Sequence, residues 1–120
     1  VKPVGLWYGF GTNWIDFVRN PDNKGLIGKY TGAEYFYNID VKTVSISDSL
    51  AIGKVFPDSV LVLNDYNDLK VFQENFKVVR AGGMFLAELL IISRKFGGLE
   101  VSDELATYFG WDIESGCVWN

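Results

Sequence analysis

Residues 58–76, DSVLVLNDYNDLKVFQENF, decide the fold class, because a strand pattern changes there directly into a helix pattern. The first part, DSVLVLND, is an apolar run that ends in polar residues, which predicts a buried strand. The second part, NDLKVFQENF, spaces its apolar residues three or four positions apart, which predicts a helix that begins at an Asn67 or Asp68 cap. The chain therefore combines strands and helices in one domain.

Further elements flank this pair. Strands are predicted, from β-branched and aromatic residues, at Pro3–Tyr8 (PVGLWY), over Ala33–Ser47 as one long bent strand or two, at GLEVS from Gly98 onward, and at the closing SGCVWN. Helices are predicted at WIDFVRN after a Thr12 or Asn13 cap, and at Gly83–Phe96 with Gly97 and Gly98 as its stop. We expect the closing strand to pair with GLEV, which has a matching length.

The irregular order of these elements predicts an α+β fold rather than a doubly wound one, which would alternate strands and helices regularly. We expect one domain over residues 1–120, with a mixed or antiparallel split sheet of about five to seven strands. The apolar positions expected in its core are Val4, Leu6, Phe17, Val44, Ile46, Leu61, Leu63, Leu69, Phe72, Phe76, Leu89, Leu99 and Val118.

Composition excludes several classes of protein. The 48% hydrophobic and 16% aromatic content excludes a disordered chain. The longest apolar run contains Glu88 and is too short to cross a bilayer, so no membrane partner is expected. The net charge of −4 and the scattered lysines and arginines argue against binding to a nucleic-acid backbone. A single cysteine fits a reducing, cytoplasmic compartment.

The absence of histidine restricts any chemistry to carboxylates, hydroxyls and one thiol. Glu100 lies on a short strand, where alternation places it on the face opposite Leu99 and Val101. That face is either solvated, which is the commoner case, or lines a cleft in which Glu100 stabilises a cation. Glu114 lies on a predicted turn, and Cys117 reads as a small core residue. No acids have the spacing of metal ligands, so no metal is expected.

The stretch GLWYGFGTNW allows two interpretations. Its glycines have neither the dinucleotide-binding nor the phosphate-loop spacing, so the simpler interpretation, a strand followed by a turn, is favoured by the motif alone. Alternatively, the glycines allow a flat ligand to approach the backbone, while Trp7 and Tyr8 supply stacking faces. The pattern leaves both interpretations open.

The order of GLWYG, YNIDVKTVSIS, VLVLNDYNDLKVFQENF, FGGLEV and GWDIESGCVWN resembles a group of small phage and bacterial proteins with an early GLW strand and a similar ending. The similarity covers most of the chain and is closest at Gly5-Leu6-Trp7 and at the ending. That group resembles the ADP-ribosyltransferase fold, a split mixed sheet that holds the nicotinamide end of NAD in a cleft.

The resemblance implies an ADP-ribosyltransferase-like protein that binds NAD or a related nucleotide and transfers ADP-ribose to a macromolecular target. It implies that Gly5, Trp7, Tyr8 and Gly9 contact the nucleotide. It also implies that Glu100 or Glu114 supplies the acid that stabilises the oxocarbenium-like ribose.

Two features differ from the family pattern. Gly9 stands where the family has Ser or Thr, and no strand with Arg or His precedes Val1. Either that first strand lies outside this chain, or the cleft binds its ligand without turnover. The alternative function is a non-catalytic protein-interaction domain, such as a phage-encoded inhibitor or an immunity-type protein, whose exposed aromatic surface binds a protein.

Overall fold

The computed structural model of the chain describes residues 3–20, 22, 38–52, 55–76, 86–111 and 113–120, and these form one α+β domain, as the sequence predicts. Its described strands are β1 (Leu6–Tyr8), β2 (Thr43–Ser45), β3 (Phe56–Leu63), β4 (Phe96–Val101) and β5 (Ser115–Val118). Its described helices are α1 (Asn13–Arg19), α2 (Ile46–Ile52), α3 (Tyr66–Phe76), α4 (Leu86–Lys95) and α5 (Asp103–Phe109). None of these helices has the length and apolar character needed to cross a membrane.

The five described strands form one mixed sheet in the order β1-β5-β4-β3-β2. Strands β2, β3 and β4 run parallel to one another, whereas β5 runs antiparallel to both β4 and β1. The last strand of the chain therefore lies inside the sheet, between the first strand and the parallel part.

The predicted pairing of the chain's ending with GLEV is confirmed. Gly98 pairs with Val118 and Leu99 with Cys117. The backbone N–H of Trp119 continues the pairing by donating to the Gly97 carbonyl at 3.0 Å. The last aromatic residues of the chain are thus hydrogen-bonded to the sheet.

The stretch that decides the fold class folds as predicted, into strand β3 followed by helix α3. The predicted cap is wrong by two or three residues. Helix α3 begins at Tyr66, and the side chain of Asp65 accepts a hydrogen bond from the Asp68 N–H at 2.8 Å, so Asp65 rather than Asn67 or Asp68 caps the helix.

Three other boundaries differ from the prediction. Ile46 and Ser47, expected in a strand, open helix α2, because the Ser45 hydroxyl accepts from the Asp48 N–H at 3.1 Å and starts a helical turn. The glycines expected to stop helix α4 instead lie inside β4, which begins at Phe96. Helix α5 was not predicted. Residues 33–37 and 83–85, also included in predicted elements, lie outside the described residues.

The core lies between the sheet and helices that include α3 and α5, and it contains six of the twelve expected positions whose burial the structure describes. Fully buried among them are Ile46, Leu61, Leu63, Leu69, Phe72 and Leu99; Phe17, Val44, Phe76 and Val118 are half-buried. The side chain of Leu89 lies outside the described residues.

Val4 and Leu6 are the two expected core residues that the structure contradicts, with 92% and 59% of their surface exposed. Side chains alternate between the faces of a strand, and in β1 it is Trp7 that faces the core. Leu6 must therefore face the other side of β1, and Val4 precedes this strand altogether.

Candidate functional site

One row of residues across the sheet brings two of the predicted site residues together. Tyr8 on β1 pairs with Gly116 on β5, and Gly116 pairs with Glu100 on β4. Directly paired residues project from the same face of a sheet, so Tyr8 and Glu100 lie on either side of a glycine. The Tyr8 hydroxyl donates a hydrogen bond to Glu100 Oε1 at 2.8 Å.

This hydrogen bond depends on the missing side chain at Gly116. The Tyr8 ring lies across the Gly116 backbone, and a Cβ atom at this glycine would overlap the Tyr8 Cζ and Oη atoms. The Tyr8 side chain can therefore cross strand β5 and bring its hydroxyl to the Glu100 carboxylate.

We expect Gly116→Ala to displace the Tyr8 side chain and break its hydrogen bond to Glu100, lowering the free energy of unfolding by about 1–3 kcal/mol. Tyr8→Phe, which removes only the hydroxyl, should cost roughly 1 kcal/mol. Urea denaturation measures both, and Tyr66→Phe, at an exposed tyrosine, is the matched control. If the double variant loses as much free energy of unfolding as Gly116→Ala and Tyr8→Phe lose together, the hydrogen bond of Tyr8 does not depend on Gly116.

The electrostatic surroundings of Tyr8 keep its hydroxyl protonated. Burial raises the pKa of Tyr8 well above its usual range, and the hydrogen bond to Glu100 and the negative charge of that carboxylate raise it further. Tyr8 is consequently a permanent hydrogen-bond donor near neutral pH, and it fixes one oxygen of Glu100. In the part of the chain that the structure describes, no hydrogen bond engages the other oxygen of this carboxylate.

Glu114, the second predicted acid, lies in the bend before β5, and its backbone is held from two elements. Its N–H donates to Asp103 Oδ1 at 2.6 Å, and its carbonyl accepts from Asn13 Nδ2 at 2.9 Å. Partial burial raises the pKa of the Glu114 carboxyl, and the charges of Asp103 and then Glu100 add to the effect. The three carboxylates therefore lie close enough to interact, at one end of β4 and β5.

The remaining predicted site residues are placed differently. Trp7 projects from the opposite face of β1 and packs edge-on against Trp111, with ring centroids 4.7 Å apart, so its side chain does not join Tyr8 and Glu100. Gly5 lies just before β1, where its backbone approaches the Val118 carbonyl too closely for a Cβ atom.

Gly9 lies beneath the start of helix α1. A Cβ atom on Gly9 would overlap Asn13 Oδ1 and the Trp14 ring. The Ser or Thr that the family resemblance expects at this position would therefore collide with the helix as it is placed here. The close packing of α1 explains why this chain has glycine there.

Asn13 and Asp103 are the residues that sequence reasoning missed at this site. Asn13 uses both ends of its side-chain amide, since its Oδ1 also accepts from the Phe10 N–H at 2.9 Å. Its position before a predicted helix suggested only a cap. Asp103 follows Ser102, whose side chain caps α5, and recognition of that helix start in the sequence VSDEL would have drawn attention to it.

Cys117 lies on the core face of β5, fully buried, as the sequence predicts for a core residue. Burial raises the pKa of its thiol from 9.0 to about 11. The thiol is therefore protonated near neutral pH, which suits a packing role and not a nucleophilic one.

The thiol should make the protein sensitive to alkaline pH. Because its folded-state pKa is above the unfolded value, its contribution to stability is complete below pH 9 and is lost as the pH rises toward 11. We expect a loss of about 1 kcal/mol per pH unit from this group in that window. Urea denaturation at several pH values should show a shallower decline in Cys117→Ala than in the parent protein, and an equally steep decline would contradict the assignment. The decline between pH 9 and 10 isolates the thiol, since Tyr8, whose pKa is also raised, contributes only above its unfolded value of 10.0.

Among the described residues, no group of three His, Cys, Asp or Glu side chains is arranged to hold a metal ion. Comparison with known proteins found no match to this chain among family models, curated proteins or solved structures.

Proposed function

We propose that this protein binds NAD or a related nucleotide on the sheet face that carries Tyr8 and Glu100, and that it acts there as an ADP-ribosyltransferase-like enzyme. The observation that carries the proposal is the hydrogen bond between Tyr8 and Glu100. The resemblance implies that Tyr8 contacts the nucleotide and that Glu100 or Glu114 is the acid. Tyr8 and Glu100 are in contact in the fold although 92 positions separate them in sequence. The proposal includes a cytoplasmic location, where NAD is available and a lone thiol stays reduced.

The chemistry of the proposal requires a fixed negative charge. When the bond between nicotinamide and ribose breaks, positive charge develops on the sugar, and a preorganised carboxylate stabilises it. Glu100 is half-buried, and the Tyr8 hydroxyl holds it in one orientation. Glu114 and Asp103 add negative charge nearby. A nucleophile of the macromolecular target, or water, then attacks the sugar and takes the ADP-ribose.

Glu100→Gln should lower the turnover of NAD about 100-fold, because it preserves shape and hydrogen bonding while removing the charge. The Tyr8 hydroxyl can still donate to the amide oxygen, so the variant should remain folded. The assays are release of nicotinamide from labelled NAD and transfer of the label to protein. Glu74→Gln, at an exposed acid on α3, is the matched control and should match the parent protein.

Two results would contradict the proposal. One is a parent protein without turnover whose thermal stability is unchanged by added NAD. The other is a folded Glu100→Gln variant with full turnover, which would remove Glu100 from the chemistry even if NAD is consumed.

A second candidate function is a non-catalytic protein-interaction domain, of the phage-inhibitor or immunity type. The observation that favours it is the exposure of Val4 and Leu6 next to β1, whose described neighbour in the sheet is β5 alone. Exposed apolar residues beside an edge strand are typical of surfaces that receive a protein partner. Under this function Leu6→Lys should abolish partner binding while Glu100→Gln leaves it intact, which is the reverse of the pattern expected for the enzyme.

A further inference from the structure

Glu114 is held by its backbone rather than by its side chain. Two hydrogen bonds fix the peptide groups on either side of its Cα atom. Asp103 on α5 accepts from its N–H, and Asn13 on α1 donates to its carbonyl. The two partners come from helices that are far apart in sequence, so the bend before β5 is restrained from both sides.

Asn13 is itself fixed. Its Oδ1 atom accepts from the Phe10 N–H, so the same amide joins the turn after β1 to the bend before β5. The side chain is half-buried, which limits competition from water for these bonds. The connection joins the two segments that flank the row of Tyr8, Gly116 and Glu100.

We infer that Asn13 and Asp103 are positioning residues that hold the Glu114 carboxylate beside Glu100. The role that this gives Glu114 at the site rests on the proposed function. Neither residue is expected to touch the nucleotide. Their effect is to keep a second acid close to the first, so that both charges act on the same cation. Without them the bend before β5 is free to turn the Glu114 side chain into solvent.

The position of Glu114 can be read from the titration of its carboxyl carbon by NMR, because its pKa is raised by burial, by Asp103 and by Glu100. Two variants at Asp103 separate charge from positioning. Asp103→Asn removes the charge but retains an oxygen that accepts from the Glu114 N–H, whereas Asp103→Ala removes both. We expect a lower Glu114 midpoint in Asp103→Ala than in Asp103→Asn, and equal midpoints would overturn the inference.

Asn13→Ala tests the second positioning residue. It should lower the titration midpoint of the Glu114 carboxyl toward its ordinary value of 4.5. Thr12→Ala is the control in the same turn, since the Thr12 hydroxyl donates to Asp16 and should not affect Glu114. An unchanged midpoint in folded Asn13→Ala would overturn the role of Asn13, and if this variant does not fold, the pair at Asp103 decides alone.

In the NAD assay, Asn13→Ala also distinguishes a positioning role of Asn13 from a purely structural one. Asn13→Ala should lower kcat roughly 10-fold and change KM by less than about 2-fold, because the misplaced acid acts on the transition state rather than on binding. The NMR titration needs no nucleotide. A parent protein that does not turn over NAD would thus reject the proposed function, while the titration would still decide whether Asn13 and Asp103 hold Glu114.

Discussion

Removal of Gly116–Asn120 is expected to unfold the whole domain. Strand β5 lies between β1 and β4, so its loss removes hydrogen bonds on both sides and leaves β1 without its described partner. The deletion also removes Trp119, whose ring N–H donates to the Phe96 carbonyl at 2.7 Å. A domain of this size is stabilised by about 5–15 kcal/mol in total, and the loss of an interior strand is of that order.

Circular dichroism and thermal unfolding measure this effect. The truncated chain should show no cooperative transition, whereas deletion of Asn120 alone, which removes a side-chain bond to the Pro57 carbonyl and a backbone bond to the Gly97 carbonyl, should cost only about 1–2 kcal/mol. A truncated chain that unfolds cooperatively near the melting temperature of the parent would show that β5 is not an integral strand.

Phe72→Ala should have the largest effect among single substitutions, a loss of about 3–5 kcal/mol in the free energy of unfolding. Phe72 is fully buried on helix α3 and packs against Phe76 with ring centroids 5.2 Å apart. Truncation to alanine removes the transfer free energy of the ring and leaves a cavity between helix and sheet. Urea denaturation is the measurement, and Glu74→Ala, on the exposed side of the same helix, should stay within about 0.5 kcal/mol of the parent. A loss below about 1 kcal/mol would mean that the core rearranges to fill the space.

The elements that the sequence predicts best are those whose pattern is local and repeated. Strand β3 and helix α3 are recognisable because an apolar run gives way to apolar residues at helical spacing. Helix α5 is just as local, with a Ser102 cap and Gly110 in the left-handed conformation at φ 73° as its stop. Both boundary residues are visible in SDELATYFG, but the strand patterns on either side of this short helix dominate the prediction.

Glycine was the least reliable guide to boundaries. Gly97 and Gly98 have the composition of a helix stop, yet both are buried within β4. A Cβ atom at Gly97 would overlap the Pro57 carbonyl, and one at Gly98 the Cys117 carbonyl. These close approaches between strands are tertiary contacts, so no local pattern could distinguish them from a turn.

The candidate site likewise has one feature that a local pattern predicts and one that depends on tertiary contacts. Alternation within β4 correctly places Glu100 opposite Leu99, which faces the core. The encounter of Glu100 with Tyr8 depends on the strand order, and on a glycine in the strand between them, neither of which is encoded near either residue. Only the family resemblance assigned Tyr8 and Glu100 to one site, and it did not indicate the hydrogen bond between them.

The position of β5 inside the sheet has a consequence for biosynthesis. A ribosome completes β1 more than 100 residues before its described partner β5, since Leu6 pairs with Val118. The parallel strands β2, β3 and β4 can assemble as they are made, whereas β1 has to wait for β5. Such long-range pairing slows folding, because the entropy of closing the intervening chain is lost before the contact is gained. Docking of β1 is therefore expected only after β5 has left the ribosome, and ribosome-bound chains stalled before Ser115 should expose β1 to chaperones and proteases.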